Sequence, residues 1–153
     1  MKKWILILSL PFGLVAENAA PQKEILLHGF RSPSTGVEYR QGHWGIHGGL
    51  YTSILRPAEG QKATTAWFAK TGATAYFLPF RLVGPRKSEL FASASYLRGL
   101  NEGWKSAVQF EPGVRFALTS HLDLRVGASL LRAQQRGWRY NPTIGVSWSF
   151  QRR

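Results

Sequence analysis

The stretch that decides the fold reads VQFEPGVRFALTSHLDLRVGASL and covers residues 108–130. Apolar side chains alternate with polar or small ones on both sides of a short polar break at residues 119–121. A period of two is typical of β-strands that have two different faces. A three-residue turn at the break would place Val114 opposite Val126, so that apolar residues meet across the pair. The stretch therefore predicts a β-hairpin.

The alternation continues towards the C-terminus, where aromatic and aliphatic residues alternate with polar ones over residues 138–150. Five weaker strand candidates lie upstream: 24–31, 36–40, 43–55, 64–78 and 88–100. With the two strands of the hairpin, the total is about eight, the smallest number commonly seen in closed bacterial barrels. The predicted fold is therefore all-β, a closed, antiparallel, up-and-down barrel.

A second tight turn is predicted at Gln41-Gly42, between two of the weaker strand candidates. Glycine adopts the positive φ that a two-residue hairpin turn needs. This turn would set Tyr39 opposite Trp44, which again keeps apolar residues on one face.

The N-terminus has the layout of a secretory signal. A positive start at residues 1–3 is followed by an apolar run from Trp4 to Val15 and then by small residues, including Ala16 and Ala20. This order predicts a signal peptide cleaved after Ala16 or Ala20, because the apolar run is shorter than the roughly 20 residues of a membrane-spanning helix. The predicted domains are a signal peptide at 1–20 and a barrel at 21–153.

Aromatic residues gather at the two ends of the predicted strands. The set comprises Trp67, Trp104, Trp138 and Tyr140 at the outer ends, and Tyr39, Trp44, Trp148 and Phe150 at the inner ends. Two such girdles are typical of transmembrane barrels, in which amphipathic rings lie at the membrane interfaces. The alternative is a secreted, soluble, lipocalin-like barrel that binds a ligand and turns its apolar face inward.

The opposite face of the strands is polar and predicts a charged interior. Its expected lumen network comprises Glu38, His47, Lys70, Glu111, Arg115, Asp123, Arg125 and Arg139. Arg115 would face Arg125 directly, a repulsive arrangement that the diagonal neighbour Asp123 would relieve. Because an eight-stranded barrel is filled by its own side chains, we expect a plugged lumen and no general diffusion pore.

The chain carries 20 Lys and Arg against 8 Asp and Glu, a formal net charge of +12. Such an imbalance favours phosphate-rich partners. Basic residues at the predicted outer ends could contact lipopolysaccharide phosphates, or could be ordinary solvated loop charges: Arg56, Lys62, Arg98, Lys105, Arg132 and Arg136. Nucleic acid is not an expected partner, because the basic residues spread over both rims and an exported protein rarely meets it.

Two segments, EPGVRFALTSHLDLRVG at 111–127 and NPTIGVSWSF at 141–150, resemble the closing strands of small bacterial outer-membrane β-barrel proteins, such as the transmembrane domain of outer-membrane protein A. The resemblance implies export by the secretory pathway and insertion by the barrel-assembly machinery into the outer membrane of a Gram-negative bacterium. That family usually ends on an aromatic residue, whereas residues 151–153 follow Phe150 here. The implied role is structural, adhesive or lipopolysaccharide-contacting.

One group of residues could carry chemistry. His28, Ser32, Ser34 and Glu38 could form a hydrolytic triad on adjacent strands, which makes a lipid A-modifying outer-membrane hydrolase the enzymatic alternative. In lipid A deacylases the active-site histidine and serine lie two apart on one strand, and that motif is missing here. His28 is also expected to point into the lumen, away from lipid. We predict no catalytic residue, metal site or cofactor.

Overall fold

The computed structural model describes residues 23–30, 35–55, 64–81, 87–101, 106–133 and 138–151. These ranges contain eight strands: β1 Lys23–Gly29, β2 Thr35–Gln41, β3 Trp44–Leu55, β4 Thr64–Phe80, β5 Ser88–Gly99, β6 Ser106–Ala117, β7 Leu122–Ala133 and β8 Trp138–Gln151. Each strand pairs antiparallel with the next, and β8 pairs with β1. The predicted closed, up-and-down, eight-stranded barrel is confirmed. The predicted signal peptide lies outside the described residues.

The end of the barrel where β1 begins and β8 ends is named the terminal end, and the opposite end the distal end. Ile25 on β1 pairs with Tyr39 on β2, and the paired residues continue from strand to strand around the barrel until they reach Tyr140 on β8. Ile25 itself pairs with Phe150, ten residues further along β8. A stagger of ten residues around eight strands corresponds to a strand tilt of about 40°. No helix in the described ranges is long and apolar enough to cross a membrane.

The two faces of the barrel wall differ sharply in polarity. Many outward-facing aliphatic and aromatic side chains are at least 39% exposed, including Ile25, Leu27, Val37, Ile46, Val108, Phe110, Val126, Ile144 and Val146. Inward-facing positions carry buried charged, hydroxyl and small residues along most of the barrel length. This arrangement inverts that of a soluble barrel, in which the apolar face is enclosed.

The β6–β7 turn has the predicted register. Arg115 lies opposite Arg125, and Val114 lies opposite Val126. The Leu118 N–H donates to the Leu122 carbonyl at 3.0 Å, which closes the three-residue turn. Within the turn, the Thr119 hydroxyl accepts the Leu122 N–H at 2.9 Å and so satisfies another backbone donor.

The predicted register of the β2–β3 turn is wrong by two residues. Gln41 pairs with Trp44, and Tyr39 pairs with Ile46, so the turn residues are Gly42 and His43. Gly42 has a φ of 61°. A positive φ at the first turn position is what a type II′ hairpin requires, and it keeps Gln41 within the strand. Because the error is an even number, every side chain stays on the predicted face.

Pro112 interrupts the pairing of β6 with β7. The N–H groups of a strand point alternately to its two neighbours, and the Leu118 N–H points towards β7. Pro112, six residues earlier, therefore turns its nitrogen towards β7, where it has no hydrogen to donate. The described pairing accordingly passes from Phe110 directly to Gly113. The barrel wall thus has a weak point beside Glu111.

The first hairpin is shorter than its neighbours, and among the described strands it leaves a gap in the pairing at the distal end, here named the lateral gap. β1 and β2 have seven residues each, whereas β3 has 12 and β8 has 14. β1 follows β8 only as far as Val146, and β2 follows β3 only as far as Leu50. Beyond these points, residues 138–145 and 51–55 have a described strand partner on one side only. Three strand spacings, about 14 Å along the wall, separate the two edges.

Pro142 lies on the β8 edge of this lateral gap. The Ser149 N–H donates to the His121 carbonyl at 2.7 Å, on the β7 side of the strand. Since the direction alternates, the nitrogen of Pro142 faces the gap. Proline is the residue expected at an open sheet edge, because it leaves no unpaired N–H there.

Candidate functional site

Arg115 is the centre of a buried ion-pair network at the terminal end of the lumen. Its guanidinium donates to Asp123 at 2.7 and 3.0 Å and to Glu24 at 2.9 and 3.2 Å. The three side chains are at most 4% exposed. Asp123 belongs to the neighbouring strand, whereas Glu24 reaches Arg115 from β1, across the closed barrel. One cation thus ties together two carboxylates from strands that are not neighbours.

A second arginine extends the network. Arg40 makes a bidentate pair with Glu89 at 2.7 and 2.9 Å, and its guanidinium lies 4.0 Å from the centre of the Tyr76 ring. Arg40 also lies 3.7 Å from Glu24, and Arg115 lies 3.7 Å from Glu89. The two arginines and their carboxylates therefore alternate in charge, which offsets the cost of enclosing them.

The middle of the lumen holds a second cluster around Glu38. His28 contacts the Glu38 carboxylate at 3.0 Å through Nε2 and the Ser147 hydroxyl at 2.8 Å through Nδ1. Tyr76 donates its hydroxyl to Glu38 at 2.7 Å, and Arg125 reaches the same carboxylate at 3.5 Å. The Arg125 guanidinium also lies 4.2 Å from the centre of the Phe91 ring. These contacts hold Glu38 from several sides.

The Ser147-His28-Glu38 arrangement has the partner order of a hydrolytic triad, but it is enclosed. Ser147 and Glu38 are each 1% exposed, and both face the lumen. A lipid substrate would approach the outside of the wall. Ser32 and Ser34 lie outside the described residues. Within the part of the chain that the structure describes, no exposed nucleophile lies beside His28, so the contacts are those of a packed interior.

The distal half of the lumen changes from charged to apolar. Lys70 donates to Glu111 at 3.3 Å, with both side chains 3% exposed. His47 contacts Thr74 at 3.2 Å and Ser95 at 2.9 Å. Beyond this layer lies an apolar cluster of Tyr51, Ala66, Phe68, Leu97, Ala107 and Leu131. Side chains therefore fill the lumen through charged, polar and apolar layers in turn.

Seven of the eight predicted lumen residues lie inside the barrel: Glu38, His47, Lys70, Glu111, Arg115, Asp123 and Arg125. The placement of Arg139 in the lumen is wrong. Arg139 has the parity of an interior residue but is exposed, because β8 beyond Val146 has no β1 partner among the described residues to enclose it. The prediction also missed Glu24, Arg40 and Glu89. Their parity places them inward, but their partners come from distant strands.

Acidic residues are confined to the lumen in the described part of the chain. Its five acids are Glu24, Glu38, Glu89, Glu111 and Asp123, and each pairs with an enclosed cation or histidine. The other three acids of the sequence lie outside the described residues. The exposed charged residues are all basic: Lys23, Arg81, Lys87, Arg98, Arg132 and Arg139. The described exterior is therefore uniformly cationic.

The predicted interface aromatics lie on the exterior. Those at the terminal end are Tyr39, Trp44, Trp148 and Phe150, and those at the distal end are Trp67, Trp138 and Tyr140; all are at least 41% exposed. Trp104 lies outside the described residues. Trp67 lies near the distal start of β4, and Trp138 and Tyr140 lie at the distal start of β8. The two aromatic bands therefore lie at opposite ends of the wall.

Two of the predicted phosphate contacts, Arg98 and Arg132, are exposed at the distal end. The Arg132 guanidinium lies 5.7 Å from the centre of a Trp138 ring. The remaining members of that predicted set lie outside the described residues: Arg56, Lys62, Lys105 and Arg136. In the described ranges, no group of three or more His, Asp and Glu side chains could hold a metal ion.

Comparisons of the chain with protein-family models, curated proteins and solved structures give no match. The resemblance to outer-membrane protein A therefore stays a prediction. Function has to be inferred from the distribution of charge and apolar surface on the barrel itself.

Proposed function

We propose that the protein is an integral β-barrel of the outer membrane of a Gram-negative bacterium, with a structural role, a plugged polar lumen and lipopolysaccharide contacts at its distal end. The observation that carries the proposal is the inverted wall, apolar outside and charged inside. Leaving a large apolar side chain in water forgoes about 1.5–3 kcal/mol of burial. Surrounding lipid supplies this burial free energy. A secreted lipocalin-like barrel in water would forgo it for each large apolar side chain on its outer face.

The spacing of the aromatic bands supports this proposal. On β8, Tyr140 and Trp148 are eight residues apart, and Trp138 and Phe150 are twelve apart. At about 3.3 Å per residue and a tilt of about 40°, these separations are roughly 20 and 30 Å along the barrel axis. The apolar band of outer-membrane barrels is about 25 Å tall and is flanked by aromatic girdles. The bands therefore match the two interfaces of such a membrane.

The distal cations support contact with the phosphates of lipopolysaccharide. Arg98 and Arg132 are exposed at the distal end, and Arg132 lies beside Trp138. Arginine pairs with phosphate through charge-assisted hydrogen bonds, often in a bidentate geometry. The alternative of a lipid A hydrolase lacks an exposed nucleophile beside His28 among the described residues. We therefore favour a structural barrel over an enzyme.

The experiment expresses the full chain, separates membrane from soluble fractions, and compares boiled with unboiled samples on a detergent gel. We expect the protein in the outer-membrane fraction, with a mobility that changes on boiling. Recovery as a soluble periplasmic protein would contradict the proposal.

A pair of variants tests which solvent the outer face meets. Val126→Arg places a charge in the middle of the apolar wall, and Leu118→Arg places one at the terminal end of the same face. In a membrane, the first should cost about 2–4 kcal/mol of unfolding free energy and the second about 0–1. If the face contacts water, the two substitutions will have equally small effects in urea unfolding.

A further inference from the structure

The outer face of β6, β7 and β8 carries a cation above an apolar surface at the distal end. Arg132 on β7 pairs with Val108 on β6 and with Trp138 on β8. The next outward-facing row, two residues closer to the terminal end, comprises Phe110, Leu130 and Tyr140. These six residues are named the distal patch. Its aromatic residues and Val108 are at least 43% exposed, and Arg132 is exposed as well. A role for the distal patch rests on the function proposed above, because the patch faces lipid only if the barrel spans a membrane.

The guanidinium of Arg132 is supported by the Trp138 ring. It lies 5.7 Å from the centre of the ring, within the roughly 6 Å over which a cation and an aromatic face attract each other. Packing on the ring restricts the motion of the guanidinium and leaves its N–H donors at the exposed edge. A donor fork that is already held in place loses less entropy when it binds a phosphate with two hydrogen bonds.

Arg98 reaches the same distal rim in different surroundings. It is exposed on the outer face of β5, and the residues directly opposite it are Ala69 on β4 and Ser106 on β6. Arg98 lies two residues beyond the row of paired residues that contains Arg132, and that row rises by about as much from β5 to β7. The two arginines therefore have the same charge and nearly the same depth, but only Arg132 lies directly opposite an aromatic ring.

The short turns at the terminal end indicate which leaflet the distal patch meets. The β2–β3 turn has two residues and the β6–β7 turn has three. Short turns are typical of the periplasmic side of outer-membrane barrels, so the distal end lies in the outer leaflet. The lipid of that leaflet is lipid A, a phosphorylated disaccharide with several acyl chains. The distal patch is three strands wide, about 14 Å at 4.8 Å per strand, and gives room for several chains side by side.

We propose that the distal patch binds lipid A, with one sugar phosphate on Arg132. The Trp138 ring holds the guanidinium, the Tyr140 hydroxyl donates a hydrogen bond to the sugar, and the acyl chains lie over the second row of the patch. Charge complementarity supports this occupant, because the described exterior carries cations and no acid. The order of a cation at the rim and apolar side chains below it matches the order of phosphate and acyl chains in the lipid.

The test measures binding of diphosphoryl lipid A to the purified, folded barrel in detergent by native mass spectrometry. We expect Arg132→Ala to weaken binding about tenfold, the size of one charge-assisted hydrogen bond. Arg132→Lys keeps the charge without the planar donor fork, so its binding should stay at least about threefold weaker than that of the unmodified barrel. Arg98→Ala is the matched control and should change binding less than about twofold. Arg132→Gln replaces Arg132→Ala if the latter does not fold.

A double-mutant cycle tests whether Trp138 acts through Arg132. Trp138→Ala should weaken binding about two- to fivefold, the size of an exposed cation–π interaction, and should have a much smaller effect when Arg132→Ala is already present. Trp67→Ala, which removes an exposed distal tryptophan outside the patch, should leave binding unchanged. Fully additive losses in the cycle would overturn the role assigned to the ring.

Two further results would overturn the site or its occupant. Equal losses in Arg132→Ala and Arg98→Ala would overturn the proposal in favour of general charge attraction. Equal affinity for phosphatidylglycerol would overturn the assignment to lipid A, and a dimer that excludes lipid would overturn it by placing a second copy of the chain on the patch.

The result is separable from the function proposed above. A folded barrel that enters the outer membrane but binds no lipid A contradicts only the site at the distal patch. A chain that never enters the membrane contradicts the proposed function, whatever it binds in detergent.

Discussion

Replacing Arg115 with methionine tests whether the buried ion pairs hold the barrel together. Arg115 donates four hydrogen bonds to Glu24 and Asp123, and all three side chains are nearly inaccessible to solvent. Removing one partner of a buried ion pair costs about 3–5 kcal/mol, because the remaining charge stays enclosed. Here two carboxylates lose the cation they share. We expect Arg115→Met to shift the unfolding equilibrium by about two to four orders of magnitude.

Urea unfolding in detergent micelles, followed by the mobility of unboiled samples, measures this loss. The matched control is Arg98→Met, which removes an exposed cation and should change stability by no more than about 0.5 kcal/mol. Adding Glu24→Gln and Asp123→Asn to Arg115→Met removes the stranded charges and should recover at least half of the loss. Two results would refute this reasoning: an Arg115→Met protein no less stable than Arg98→Met, or a triple variant as unstable as the single one.

Three further outcomes are expected from the wall and the lumen. Gly113→Ala should lower the unfolding free energy by about 1–3 kcal/mol in urea, because a Cβ there would lie 2.6 Å from the Phe91 ring. Gly48→Ala is the control and should lower it by almost nothing, since the nearest contact of its Cβ would be at 3.8 Å. Equal effects of the two substitutions would contradict the packing. The nitrogen of Pro112 faces β7 and that of Pro142 faces the lateral gap. In hydrogen exchange, the new amide of Pro112→Ala should therefore be protected by the Ala128 carbonyl, whereas the new amide of Pro142→Ala should exchange quickly. Protection of both amides would mean that the lateral gap is closed. In planar bilayers the barrel should show no steady conductance, since its lumen is filled, and an open channel would contradict the plugged interior.

The alternation of residues was enough to predict eight strands and most of their faces. It succeeded because side-chain direction depends only on parity, so that even the two-residue error at Gly42 left Tyr39 and Trp44 facing outward. Register itself depends on which turn residue takes positive φ. The sequence shows a glycine at position 42 but does not show whether it occupies the first or the second place in the turn.

The lumen contacts were less accessible to prediction. Asp123 could be assigned to Arg115 because the two residues share one hairpin, whereas Glu24 is 91 positions away and meets Arg115 only after the barrel closes. Arg139 was misplaced for a related reason. Its parity is that of the interior, but enclosure also requires a facing strand, and nothing in the local pattern shows that β1 ends at Gly29.

The confinement of the described acids to the lumen would have a consequence for a barrel placed among phosphorylated lipids. A leaflet of phosphorylated lipids is held together by divalent metal ions, which carboxylates on a protein surface would bind. The described wall offers these ions no carboxylate and offers the phosphates only basic side chains. In such a leaflet, the basic side chains of the barrel would neutralise phosphates in place of the bridging metal ions. The described wall has no carboxylate that would compete with the phosphates for those ions.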